Sequence, residues 1–196
     1  MFMQLEKEST YEAWNQQSRG HVSPLKTLDW SNCMDAVSAY DTIIGRLKKE
    51  GISFTIHEHK ATRTVNDAEE NLPFPKESFL KTVVFKLKNA DWILAALKGQ
   101  DSVDYRKLAT ACGAKRGDII RPPAEEVETA LGYAIGGVCP IPVNNSIAVV
   151  FDSEVIAMDT VYCGSGRNDR TLEIKLRDLL RISGGRILPL AREQGL

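Results

Sequence analysis

No stretch of this 196-residue chain approaches the roughly 18 consecutive apolar residues that a membrane-spanning helix needs. Neither sign of charge dominates. Twenty-five Lys and Arg against 26 Asp and Glu leave a formal charge of −1, which excludes a histone-like polycation and an acidic tail protein. A nucleic-acid partner stays open, because it needs only a local basic patch. The four cysteines, at 33, 112, 139 and 163, make no CxxC pair and no disulfide-framework spacing. Reduced thiols are the expectation, and a four-cysteine zinc site would have to draw on four distant segments. There is no P-loop, GxGxxG fingerprint, GxSxG elbow, HExxH pair or zinc-deaminase signature, and no internal repeat. Residues 1–8 are too polar for a signal peptide, so a cytoplasmic chain is expected.

A hydrophobic content of 43% is enough for one packed domain. Residues 1–34 read as an N-terminal arm with polar drift, two tryptophans (Trp14, Trp30) and little periodicity; residues 35–196 read as the domain. Val37, Tyr40, Ile44 and Leu47 share one face of a helix over 35–50, with Asp35 as its cap and Gly51 as its stop. A strand follows at 53–57, then a long loop to about Ser78 broken by Pro73 and Pro75. Lys81–Lys88 and Asp91–Leu97 form a hairpin through Asn89-Ala90. Asp101 caps a helix running to Cys112, and 118–121 is a short strand. Pro122-Pro123 starts a helix that ends at Gly132. Strands are expected at 146–151, 154–158, 171–175 and 186–190, with a short helix at 177–182. The mixture predicts an α/β (mixed α+β) fold with a curved, barrel-like mixed sheet flanked by helices, without the strict βαβ alternation of a doubly wound nucleotide binder.

Three features carry candidate chemistry. The period of two on the strand from Lys81 puts this lysine on the face of Val83, Phe85 and Leu87, while Lys86 and Lys88 read as solvated on the opposite face. An inward ammonium is costly unless it meets an anion or acceptors; the bland alternative is that it snorkels to water. Gly136-Gly137-Val138-Cys139-Pro140 presents bare backbone to a ligand, though alone it reads as a tight turn. Cys163-Gly164-Ser165-Gly166-Arg167-Asn168-Asp169 has the makings of an anion-binding nest, and alone reads as a hairpin connection. His57 and His59 alternate onto one strand face with no third metal ligand in sight, and Cys139 has no histidine close in sequence to activate it.

Taken together, these pieces resemble the YbaK/prolyl-tRNA synthetase insertion-domain family of aminoacyl-tRNA editing domains. The residues that carry the resemblance are Ile52–His57, Leu80–Phe85, Leu108-Ala109 with Cys112–Lys115, Thr129–Pro140, and the glycine turn at 164–166 before Leu172–Ile174. They stand in family order between residues 36 and 192, and the arm falls outside.

The resemblance implies substrate-assisted hydrolysis of the ester between a wrong amino acid and tRNA, in which the substrate's own ribose hydroxyl orients the water or shares a proton, with a small residue such as alanine or cysteine on proline tRNA as the expected substrate. It implies Lys81 as the grip on the phosphate or 3′-terminal adenosine, and Gly136 as the start of the GxxxP loop that fixes the aminoacyl end and the attacking water. Thr82, His59, Gly137, Pro140, Gly164, Gly166 and Glu173 are the implied substrate-binding positions. His59 and Glu173 stand where the best-known bacterial cysteinyl-tRNA deacylases carry a tyrosine and an aspartate. Neither metal nor cofactor is expected; the expected partners are aminoacyl-tRNA and a prolyl-tRNA synthetase. Lys86, Lys88, Lys107, Lys115 and Arg116 are candidates for acceptor-stem contacts, or an ordinary solvated surface. Two other functions stay open on the sequence: a non-catalytic module binding tRNA or a synthetase, and a small-molecule hydrolase or transferase acting on an anionic substrate.

Overall fold

The computed structural model describes residues 38–193. The arm expected at 1–34 and the Asp35 cap lie outside the described residues. Helix α1 (Ala39–Lys49) opens at Ser38, whose hydroxyl accepts the Asp41 N–H at 3.1 Å. Gly51 then takes a left-handed φ of 62°. Strand β1 is Phe54–Glu58. Helix α2 (Val65–Asn71) forms within the expected loop. Its signal is a capping box: Thr64 Oγ1 accepts the Asp67 N–H, and the Asp67 carboxylate accepts the Thr64 N–H, each at 3.1 Å. Pro73 and Pro75 end this segment without preventing the helix.

The hairpin is β2 (Leu80–Leu87) against β3 (Trp92–Lys98), antiparallel, with Lys81 opposite Leu97. Helix α3 (Tyr105–Ala111) starts later than expected. Asp104, not Asp101, caps it by accepting the Arg106 and Lys107 N–H groups at 2.7 and 3.2 Å. Strand β4 (Ile119–Ile120) precedes α4 (Ala124–Leu131), which stops at a left-handed Gly132 as predicted. Strand β5 is Ala148–Asp152. Residues 153–157 are a 3-10 turn and not the expected strand, because the Asp152 carboxylate accepts the Glu154 N–H at 2.9 Å and turns the chain. Strand β6 (Thr160–Gly164), unanticipated, buries alternate Val161 and Cys163. Strand β7 (Arg170–Lys175), α5 (Leu176–Ser183) and β8 (Arg186–Leu188) complete the order.

The strands form two sheets, ordered β1-β7-β6 and β4-β2-β3-β5-β8. The first is antiparallel; in the second, β5 joins β3 and β8 joins β5 in parallel. The expected barrel is therefore not closed. Among the described residues the only strand pairing between the sheets is one bridge, Phe79 to Tyr162. Both faces of the five-stranded sheet are buried. Leu80, Val84, Leu94 and Ala96 join α1 and the inner side of the three-stranded sheet in one core. Phe85, Ile93, Ala95 and Leu97 join Leu108 and Ala109 of α3 in a second. This corrects the reading of β2 as apolar on one face and solvated on the other. Lys86, on the first core's side, reaches Glu126 at 2.7 Å and lies 5.0 Å over the Trp92 ring. Among the described residues no helix is long and apolar enough to cross a membrane.

Three loops interlock, backbone against backbone. A Cβ on Gly136, whose φ is 83°, would collide with the Thr62 carbonyl oxygen and Arg63 Cα. One on Gly137 would meet the Arg167 carbonyl, and one on Gly164 would meet the Val138 and Gly137 carbonyl oxygens. The backbones are tied as well as close. The Gly166 N–H donates to Gly137 O at 2.7 Å, Thr62 N–H to Asn168 O at 2.8 Å, and Ala134 N–H to Gly166 O at 3.0 Å. The glycines at 136, 137 and 164 thus make room for neighbouring main chain. Tyr133, fully buried, holds the far end by donating its hydroxyl to Ile141 O at 2.8 Å.

Two stability tests follow from this packing. Gly164→Ala puts a methyl group against main chain that has no side chain to move aside. It should cost about 2 kcal/mol or more, seen as a lower urea midpoint at unchanged slope. Asp152, 1% exposed, accepts the Leu190 and Ala191 N–H groups at 2.6 and 2.8 Å. Asp152→Ala leaves those donors buried and unpaired, and should cost about 3 kcal/mol by the same measurement.

Candidate active site

The interlocked loops floor a cleft of about 450 Å³. Its walls are the start of β2, the end of β6, the 59–64 segment and the 121–127 stretch leading into α4. Of the predicted site residues, Lys81, Thr82, His59, Gly136 and Gly164 line it together. Gly137, Gly166, Pro140 and Glu173 do not line it. Gly137 and Pro140 are buried within the loop, and Gly166 backs onto the Tyr40 main chain. Glu173 is turned to His57, whose Nε2 it meets at 2.6 Å. Phe74 covers that pair, edge-on to His57 at 4.7 Å and stacked on Tyr162 at 4.1 Å.

Lys81 is half-buried at the open end of β2. Burial, the largest influence, holds its ammonium below the ordinary lysine pKa, and Arg121 acts the same way; Asp101 and Glu69 oppose them. Among the described residues no carboxylate lies within ion-pair distance of it. Arg63, Arg121, Arg167 and Arg170 also line the cleft, and no Asp or Glu does. Arg167 is held by its own turn, bidentate to Asp169 at 2.8 Å for each bond, and this holds the Asp169 carboxyl down at about 2. The nest expected at 163–169 therefore spends its arginine on an internal partner. Arg170 meets Glu58 at 2.9 Å and lies 5.0 Å over the Tyr40 ring. Arg63 and Arg121 have no carboxylate within 4.0 Å among the described residues.

Two polar atoms of cleft-lining residues are buried without a hydrogen-bond partner: Thr82 Oγ1 and Arg170 Nε. Each leaves a hydrogen-bonding position open to a water or a ligand in the cleft. His59 has both ring nitrogens engaged, Nδ1 with Lys60 O at 2.7 Å and Nε2 with Thr171 Oγ1 at 2.9 Å. Cys139 is fully buried, out of reach of a substrate. The Cys139 sulfur beside it, together with burial, pushes the Cys163 thiol well up, so it stays protonated and inert.

The sequence reading missed Arg63, Arg121, Arg170 and Thr171. Its basic candidates Lys86, Lys88, Lys107, Lys115 and Arg116 lie outside the cleft lining. Lys86, Lys88 and Lys107 meet Glu126, Asp118 and Glu193, and Arg116 sits 4.3 Å over the Tyr105 ring. The four arginines are scattered over more than a hundred positions, so no local run signals them. Only Arg167, inside the glycine turn, was marked.

The sequence profile described as the aminoacyl-tRNA editing domain matches residues 59–182. A proline–tRNA ligase from Brachyspira hyodysenteriae is 25% identical over 107 residues, covering 55% of this chain and 18% of the ligase. A candidate Cys-tRNA(Pro)/Cys-tRNA(Cys) deacylase, EbsC, from Enterococcus faecalis is 22% identical over 125 residues, covering 64% of this chain and 75% of that one. A crystal structure described as a candidate trans-editing enzyme for prolyl tRNA synthetase superposes with a TM-score of 0.68 at 22% identity, over 79% of this chain and 97% of that one. The fold is shared with that structure, and the matched profile spans well over half of the chain from His59 on β1's exit to Ile182 in α5. The chain belongs to the aminoacyl-tRNA editing domain family.

Proposed function

We propose that this chain hydrolyses the ester joining a small wrong amino acid, alanine or cysteine, to tRNA, with proline tRNA as the carrier. Membership of the editing family sets the reaction class, aminoacyl-tRNA deacylation. The observation that carries the substrate reading is the charge of the cleft: among its lining residues Lys81, Arg63 and Arg121 have no carboxylate within 4.0 Å among the described residues, and no Asp or Glu lines it. Such a site attracts a phosphate-bearing ligand. The related ligase and EbsC, named for proline and for Cys-tRNA(Pro), support the choice of tRNA.

In this reading Lys81, without a carboxylate at ion-pair distance, grips the phosphate or 3′-terminal adenosine. The Thr82 hydroxyl, buried and unpartnered, takes a hydrogen bond to the substrate. The backbone at Gly136 holds the aminoacyl end and the attacking water. A volume of about 450 Å³ suits a nucleoside with a small side chain. An aminoacyl ester is already activated, so fixed geometry and a positive field supply much of the acceleration. Selection among amino acids is by shape, where one methylene is worth about 1–3 kcal/mol. A prolyl-tRNA synthetase is the expected protein partner.

The test is a panel of tRNAs charged with alanine, cysteine, serine and proline, followed by loss of label. Proline tRNA carrying alanine or cysteine should be cleared fastest. Lys81→Ala should slow clearance by about 100-fold or more with the fold intact by circular dichroism. An undiminished rate in Lys81→Ala would overturn the assigned grip, and tRNA affinity without turnover of any ester would mark a non-catalytic binding module instead. A second measurement uses adenosine 5′-monophosphate as the probe. Its affinity should fall as pH rises and Lys81 loses its proton, at a lower pH than an ordinary lysine value of 10.5 would give.

A further inference from the structure

The loop that contains Gly136 is closed by side chains rather than by main chain. Tyr133 stands at its entry and Ile141 at its exit, both fully buried. The Tyr133 hydroxyl donates to Ile141 O at 2.8 Å, across eight residues. The next carbonyl, Pro142 O, accepts from the Arg46 guanidinium of α1, which also donates to Ile182 O in α5 at 2.9 Å. Two consecutive carbonyls at the exit are thus gripped, one from the loop's own entry and one from the body of the fold. The main-chain bonds of the loop lie at its other end, where the Gly137 N–H donates to Ala134 O at 2.9 Å and Gly166 bonds to both residues. Among the described residues, no bond from main chain to main chain involves 138–142. That stretch keeps its course through the Tyr133 and Arg46 bonds and through packing.

Tyr133 also lines the cleft with its ring, so one side chain joins the cleft wall to the loop's closure. Burial, the largest influence, holds its hydroxyl far above the ordinary tyrosine pKa. The proton that makes the closing bond therefore stays in place throughout the range of any assay.

We propose that Tyr133 and Arg46 are positioning residues of the hydrolysis: together they close the loop that begins at Gly136 and hold its backbone in the geometry that orients the ester and the attacking water. This deepens the deacylase reading above and rests on it. Neither residue exchanges a proton with the substrate; each acts through a main-chain carbonyl. Without the Tyr133 hydroxyl, Ile141 O is buried and unpaired. It regains a partner only if the loop shifts or a water enters beside it. Either change moves backbone that already presses on Gly164 with no room for a methyl group. A displacement of about 1 Å at a reacting centre costs on the order of 100-fold in rate.

The experiment is single-turnover deacylation by the full chain on the best substrate of the panel, well below the unfolding temperature of each variant. Tyr133→Phe should lower the maximal rate by about 10- to 100-fold. Its affinity for uncharged tRNA should change by less than about twofold, because the lost interaction serves the reacting geometry and not ground-state binding. Arg46→Met should slow turnover by about 10-fold, and decides the matter should Tyr133→Phe fail to fold. Asp152→Ala is the control for stability alone, since its carboxylate serves Leu190 and Ala191 and lies outside the cleft lining. It should lose stability and keep the wild-type rate. Amide hydrogen exchange should quicken over 134–142 in Tyr133→Phe and not in Asp152→Ala. A folded Tyr133→Phe at the wild-type rate, or Arg46→Met at that rate where Tyr133→Phe does not fold, would overturn the proposal and leave the deacylase reading in place. Equal slowing by Asp152→Ala would overturn it too, as would weaker tRNA binding at an unchanged maximal rate. A wild-type chain inert on every ester would remove the deacylase reading and this one with it.

Discussion

The site depends on main chain meeting main chain where three loops have no room for a β-carbon. Gly136 lies against Thr62 and Arg63, Gly137 against Arg167, and Gly164 against Val138. Four backbone hydrogen bonds cross the same junction, the fourth from the His59 N–H to Asp169 O at 3.0 Å. That interlock holds the 59–64 segment, the Gly136–Pro140 loop and the 164–170 turn in one floor. Part of the cleft is mounted on it: the histidine at 59, the arginines at 63, 167 and 170, and the exposed backbone at 136, while Lys81 and Thr82 reach in from β2 and Arg121 from the stretch before α4. Because its parts are backbone, the floor keeps its shape without depending on side-chain rotamers.

The electrostatics follow from how the arginines are partnered. Arg167 and Arg170 are neutralised by Asp169 and Glu58, so they stay fixed and contribute little net charge. Arg63, Arg121 and Lys81 have no such carboxylate among the described residues. A net charge near zero for the whole chain hides this separation. The positive field is a property of one concave patch, and counting charges along the sequence could not locate it.

Much of the frame was legible in the residues. The β2–β3 hairpin, the Gly51 and Gly132 helix stops and the Pro122-Pro123 helix start are local signals, and the structure carries each of them. Helix α2 was missed although Thr64 and Asp67 spell its cap, because the two prolines after it look like a loop. The 153–157 strand failed because a single carboxylate at Asp152 redirects the chain. Barrel closure failed for a non-local reason: β2 and β6 lie far apart in the sequence, and that their sheets share only the Phe79–Tyr162 bridge among the described residues leaves no local signal. Within the site, Lys81 and Gly136 were readable because an unusual residue sits in a regular pattern. Arg63, Arg121 and Arg170 were not, since nothing in their local sequence marks them and only the fold brings them to one cleft.

The cleft is built from two unlike materials. Its floor is peptide; its flank includes Val127, Ile135, Tyr162 and Phe79. A change of side chain on the flank alters the shape of the cleft, yet leaves the peptide beneath it undisturbed. The contour of the cleft can thus drift during evolution, residue by residue, without passing through a form that has lost its floor.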